Sequence, residues 1–240
     1  MPRFDPPIGA SYQSFVGSLI EAATGHGTVL KQHLSPSAAL LFGLIKSRLQ
    51  DGVSPAELRN IGNPPLANAD QHAKDALDKW VTGLGIDTAR VLCVTTDPDN
   101  SELWDRYAAS HSGAVLGFRH IPAVSTPLLA ARQITYSALE PIVGSGLEFL
   151  LYGSTPELRR RTFEAIFMTK KASWSNQQEW RALTWRPNDD SLFGDYSFYP
   201  DELASVTCGR NASSDFRAAM QDIIHARFTN CRFTAVSQSA

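Results

Sequence analysis

Cysteine and methionine are scarce, three of each in 240 residues. Cys93, Cys208 and Cys231 are far apart, odd in number and form no C-x-x-C pair. That excludes a zinc knuckle or a disulfide framework. Free thiols buried in strands are expected instead, which suit a reducing cytosol and predict a cytoplasmic location. Charge of one sign is also lacking: the formal net charge is −2, with no global pull toward nucleic acid or an anionic membrane. Long hydrophobic runs are missing too. The most apolar one, Ala38 to Ile45, is far short of the ~20 residues that cross a bilayer. The N-terminus has no basic stretch leading into an apolar run, so no signal peptide is expected. The histidines show neither H-x-x-x-H spacing nor an adjacent carboxylate pair, so no metal site is expected. Gly144 and Gly146 are not followed by the Lys-Ser/Thr of a phosphate loop, and no G-x-G-x-x-G occurs. No serine or cysteine nucleophile elbow is visible.

What is present is an ordinary globular composition, 43% hydrophobic and 19% charged. The first part reads as helices. Ser11 to Ala23 carries Phe15, Leu19 and Ala22 or Ala23 at helical spacing. Ser35-Pro36 opens a second helix with a stripe of Leu41, Leu44, Ile45 and Leu49. Asn68 caps a third with Ala73, Ala76, Leu77, Trp80, Val81 and Leu84. From Arg90 the texture changes to short apolar runs: Arg90 to Thr95, Gly113 to Phe118, Gln133 to Ser137, Glu179 to Trp185, Leu203 to Cys208 and Cys231 to Val236. Helices lie between them, one capped by Ser101, one opening at Thr155-Pro156 with Phe163, Ile166 and Phe167 inward, and one capped by Ser213 or Ser214. The pattern predicts one compact α+β domain, with a helical N-terminal portion over residues 1–89 packed on a mixed, mostly antiparallel sheet formed by residues 90–240.

Unusual chemistry collects between Lys170 and Arg181. Read as a strand, Gln177 to Trp185 puts Gln177, Glu179, Arg181, Leu183 and Trp185 on one face, with Trp180, Ala182 and Thr184 on the other, toward the core. A carboxylate and a guanidinium two residues apart pair with each other or with a ligand, and charges in a strand interior need a partner in either case. Residues 157–186 hold seven basic side chains, Arg159, Arg160 and Arg161 among them, against three acidic ones. Such a stretch suits a phosphate-bearing ligand, a nucleotide or RNA, or simply a solvated helix face. Trp104 and Tyr107, three apart on a helix, either stack a flat ring or pack in the core. His111 is a candidate base or a turn residue.

Several of these strings resemble one family. Leu103 to Phe118 (L-W-D-R-Y-A-A-S-H-S-G-A-V-L-G-F) resembles the M-W-x-x-Y-A-x-x-H-x-G signature of the bacterial domain-of-unknown-function family 2971. Thr169 to Arg181 resembles its T-K-x-x-x-W-x-x-E-x-E-W-R motif, matching at Lys170, Trp174, Glu179, Trp180 and Arg181. Gln133 to Tyr136 looks like its strand ending in tyrosine, and Cys208-Gly209-Arg210 is similar to its late strand end. Gln177 stands where the family has Glu, and the family's opening Y-K-Y strand has no counterpart before Phe4-Asp5-Pro6. The family's layout resembles an ADP-ribosyltransferase that targets DNA or RNA. The resemblance implies NAD as substrate and Glu179 as the catalytic carboxylate, in a toxin or phage-defence effector. Gln177, Arg181, Lys170, Trp174, Trp104, Tyr107 and His111 would then bind the substrate. The alternatives are a non-enzymatic nucleotide- or RNA-binding module, and a protein-interaction module presenting an open sheet edge. No membrane partner, cofactor or metal is expected.

Overall fold

The computed structural model describes residues 3–61, 75, 78–83, 85–124, 126–186 and 191–236. The expected helix from Asn68 lies mostly outside them; residues 78–83 are helical. The protein is α+β, with helices and several small open sheets whose pairings are mixed and mostly antiparallel. It divides into two compact units. The first comprises residues 1–86 and 137–169, the second residues 87–136 and 170–240. Residues 137–169 thus fold with the N-terminal helices rather than with the later strands.

The first unit is organised by α1 (Tyr12–Ala23), α2 (Pro36–Gln50), α3 (Pro55–Ile61) and α5 (Gly146–Tyr152). Phe15, Val16, Leu19 and Ile20 of α1 form its core with Ala38, Ile45, Leu58 and Leu151. Leu19 and Ile20 are fully buried, each worth about 1.5–3 kcal/mol. The α2 stripe differs from expectation. Ala38 and Ile45 are buried, with Leu41, Phe42 and Leu49 packed beside them, whereas Leu44 is 58% exposed. Positions 38, 42, 45 and 49 share one side of a helix with 3.6 residues per turn, and 44 falls off it. Ser35 caps α2 as expected, its hydroxyl accepting from the Ala38 N–H at 3.2 Å. Ser35→Ala is expected to cost about 1 kcal/mol, read as a lowered midpoint in urea. Thr155 caps α6 (Pro156–Phe167) in the same way. Its buried residues are Leu158, Thr162 and Phe167, while Phe163 and Ile166 are only half-buried. Beside α6, β1 (Arg3–Phe4) pairs in parallel with β6 (Ile142–Gly144), and Phe4, Val143 and Leu158 form a second small core.

The second unit contains two three-stranded sheets. In one, β8 (Glu179–Trp185) lies between β2 (Ala89–Thr95) and β4 (Arg132–Gln133), antiparallel to both. In the other, β9 (Leu203–Cys208) lies between β3 (Ala114–Phe118), antiparallel, and β10 (Arg232–Ala235), parallel. Leu203 and Val206 pack there against Ile224 of α7 (Ser214–Arg227), capped by Ser213. Ile223 and Phe216 of α7 are left exposed. The single strand expected over 133–137 is two: β4, and β5 (Thr135–Ser137), which pairs with β7 (Thr169–Lys171). Buried Ile134 sits at the switch, its N–H bonded to the Glu179 carbonyl. The thiols are free, but only Cys208 is buried; Cys93 is exposed and Cys231 half-buried outside a strand.

Candidate functional site

The segment before β8 is not a strand. Residues Ala172–Gln177 form a 3-10 helix, and Gln178 turns left-handed (φ 45°) before β8 begins at Glu179. Gln177 therefore does not share a strand face with Glu179. On the other face only Ala182 is buried; Trp180 and Thr184 are half-buried.

The turn nevertheless brings the motif residues together. Lys170, projecting from β7, donates from Nζ to Glu179 Oε2 at 2.7 Å and to Gln177 Oε1 at 2.6 Å. Arg181 Nε donates to Glu179 Oε1 at 2.6 Å. Tyr136 Oη accepts the Glu179 N–H at 2.8 Å. The Glu179 side chain is 7% exposed, Arg181 16% and Lys170 22%. Burial alone would raise the Glu179 carboxyl. Hydrogen bonds from Lys170, Arg181 and the Cys93 thiol outweigh that and hold it below the ordinary carboxylate range. Cys93 lies opposite Arg181 across the sheet. Its residue is exposed at the strand edge, yet desolvation and the neighbouring Glu179 push the thiol up to about 11, so it is protonated and a weak nucleophile.

Two cations and one carboxylate leave this cluster one positive charge in excess. Such short charge-assisted bonds are what offset the desolvation of buried charges. Both Glu179 oxygens are taken. A carboxylate that stabilises a ribose cation or holds a ribose hydroxyl must offer an accessible oxygen, and this one is enclosed. Trp174, half-buried on the 3-10 helix, carries two cations: the Arg106 guanidinium lies 4.8 Å from its ring centroid and Lys170 Nζ 5.2 Å. Asn176 ties the same helix to Glu102 at 2.5 Å and, through its carbonyl, to Asn100 Nδ2 at 2.6 Å. Ser101, Glu102, Asp105 and Arg106 line an open hollow of about 480 Å³. Its two carboxylates against one guanidinium make the hollow itself unsuited to phosphate.

Other expected site residues lie elsewhere. Trp104, on α4 (Ser101–Tyr107), is buried, donates from Nε1 to the Pro98 carbonyl at 2.8 Å, and stacks on His111 at 5.3 Å. Tyr107 is 72% exposed, so the two aromatics do not form one platform. His111 closes a run of left-handed residues, Ala109, Ser110 and His111, and its Nε2 stands 3.5 Å from Asp105. It is a turn residue packed on Trp104. Arg160 is paired with Glu157 and Glu164, Arg161 with Glu148, and Arg159 reaches the Ser154 carbonyl. These arginines belong to the first unit, whereas Lys170 and Lys171 belong to the second. Arg106 and Cys93 join the cluster without any mark in the sequence, because their roles depend on which strand and helix face the motif. Glu202 is likewise unmarked, fully buried and held by Thr126 Oγ1 at 2.6 Å and the Tyr199 N–H at 2.8 Å.

Among the described residues there is no group of His, Cys, Asp and Glu able to hold a metal, and no helix long and apolar enough to cross a membrane. No protein-family model, curated protein or solved structure matches the chain.

Proposed function

We propose that the chain is a nucleotide- or RNA-binding module, related to the bacterial domain-of-unknown-function family 2971 through Thr169–Arg181, in which Glu179 positions Lys170 rather than acting on substrate. The observation that carries this reading is the indole of Trp174 with Arg106 and Lys170 both against its ring. A phosphate needs cations and a base needs an aromatic face; here they adjoin. Lys170 is held in place by Gln177 and Glu179, so its charge is preorganised; Lys171 is exposed, and Arg106, also exposed, lies 3.5 Å from Glu102, a surface pairing that a phosphate can displace. The free thiols fit a cytosolic setting.

Titration with ATP, NAD and a short single-stranded RNA at several salt concentrations tests it. Binding is expected to weaken steeply as salt rises. Trp174→Ala is expected to reduce affinity about tenfold, within the range for loss of one stacked base. Arg106→Ala should act similarly, and Arg160→Ala, confined to its own ion pairs, should leave affinity unchanged. Absent or salt-insensitive binding would sink the proposal. In a parallel incubation with NAD, nicotinamide release abolished by Glu179→Gln would replace it with the NAD-consuming transferase that the family resemblance implies.

A further inference from the structure

We infer that the outer edge of β2 is a self-pairing surface, through which two copies of this chain join their three-stranded sheets antiparallel. The inference is independent of the nucleotide reading. The Arg186 N–H donates to the Thr88 carbonyl at 3.0 Å, which fixes the alternation of the β2–β8 ladder. Arg90, Leu92 and Val94 direct their main-chain groups to β8, and Val91 and Cys93 direct theirs outward. Among the described residues no strand pairs with that outer edge. Val91 and Leu92 are 43% and 48% exposed, and Cys93 is exposed as well. Seven residues carry one charge, and among the described residues the outward main-chain groups of Val91 and Cys93 meet no strand, while the Ala89 carbonyl accepts from the Arg90 side chain; such an edge is one that natural sheets normally cover or break with charge.

The other edges are poorer. β4 has two residues, β10 has four and begins at Arg232, and Phe118 at the end of β3 already packs edge-on against Phe198.

A second copy is favoured as the occupant by charge. One end of β2 has Arg90 and Arg186, offset by Asp87; the other has Asp97 and Asp99, offset by the single excess positive charge of the Glu179 cluster, so each end keeps one net charge of opposite sign. Two-fold antiparallel pairing brings the basic end of each copy against the acidic end of the other. It also uses the open edge of both copies, so assembly stops at a dimer. Two paired seven-residue strands alone give less than the roughly 800 Å² per partner of a standard interface. Leu192 and Phe193, 85% and 82% exposed, extend the surface at the basic end, where Arg90 bonds the Ser191 carbonyl. The expected dimer is therefore weak and concentration-dependent.

Sedimentation of the full chain over a concentration series, at low and high salt, tests this. The expected result is a monomer–dimer equilibrium between 26.3 kDa and twice that mass, weakened several-fold by salt and by Asp99→Lys. Val91→Pro removes an outward-facing donor while leaving the β8 ladder intact, and should give monomer with unchanged circular dichroism. If that variant unfolds, Val91→Lys, which places a charge on the edge, is read instead. A wild type that stays monomeric throughout overturns the inference. So does a dimer that survives in a folded Val91 variant.

Discussion

Lys170→Met is expected to destabilise the protein by about 3 kcal/mol, the lower end for removing one partner of a buried ion pair. The lower end applies because Lys170 is about one-fifth exposed. The loss is not that of a contact alone. Removing the ammonium leaves Glu179 enclosed with Arg181 as the remaining cation among the described residues and takes the Lys170 donor from Gln177 Oε1. Glu179→Gln should cost a similar amount, because two cations then face an uncharged amide. The double variant is expected to lose clearly less than the sum, since Met beside Gln leaves only Arg181 charged. Urea unfolding of all four proteins gives the cycle, and strict additivity would show that the pair is not coupled. The same cluster sets an acid dependence. The Glu179 carboxyl is depressed in the folded protein, so its contribution is fully present above its unfolded value, about 4.3. It is lost as pH falls through the lower folded value. Wild type should therefore lose more stability than Glu179→Gln as the pH falls from about 5 through the unfolded carboxyl value and below it.

Gly209→Ala is expected to be of similar size, about 3 kcal/mol, the upper end for overpacking against rigid atoms. A Cβ there would stand 2.7 Å from the His111 carbonyl carbon, with the carbonyl oxygen closer still. These are backbone atoms that cannot rotate away. The His111 turn is fixed from both sides: the Gly209 N–H donates to the Gly113 carbonyl, and the Asn211 N–H to the His111 carbonyl. Ala109, Ser110 and His111 are held left-handed, a conformation non-glycine residues adopt at a cost. Moving Gly209 would loosen that turn and unseat His111 from Trp104. Thermal unfolding should show the loss, with tryptophan fluorescence changing if Trp104 is unseated. A variant as stable as wild type would mean that the turn shifts freely.

The contrast between legible and illegible features has a consistent physical basis. Ser35 and Thr155 are readable as caps, and Ser213 as one of two neighbouring serines, because capping is settled within four residues by a side-chain oxygen meeting a nearby N–H; at α4 the adjacent Asn100 takes the place expected of Ser101. The β2, β3, β8 and β9 strands were readable as short apolar runs for the same local reason. Trp104 and Tyr107 could not be sorted by spacing, since three residues apart places both near one side of a helix. Only the stack on His111 decides which is buried. Gln177 leaves the strand face that spacing predicts because it ends a 3-10 helix and left-handed Gln178 follows, with no glycine to mark the break.

What the sequence determined by itself is the α+β character, the caps of α2 and α6, and the concentration of charge and tryptophan between Lys170 and Arg181. Whether Glu179 would pair with its neighbour or stand open was decided by tertiary structure. Lys170 comes from a different strand, and burial then strengthens every bond the carboxylate makes while forbidding it to stand alone. A one-dimensional pattern records which charges are present; only the enclosure they share determines which of them neutralise one another.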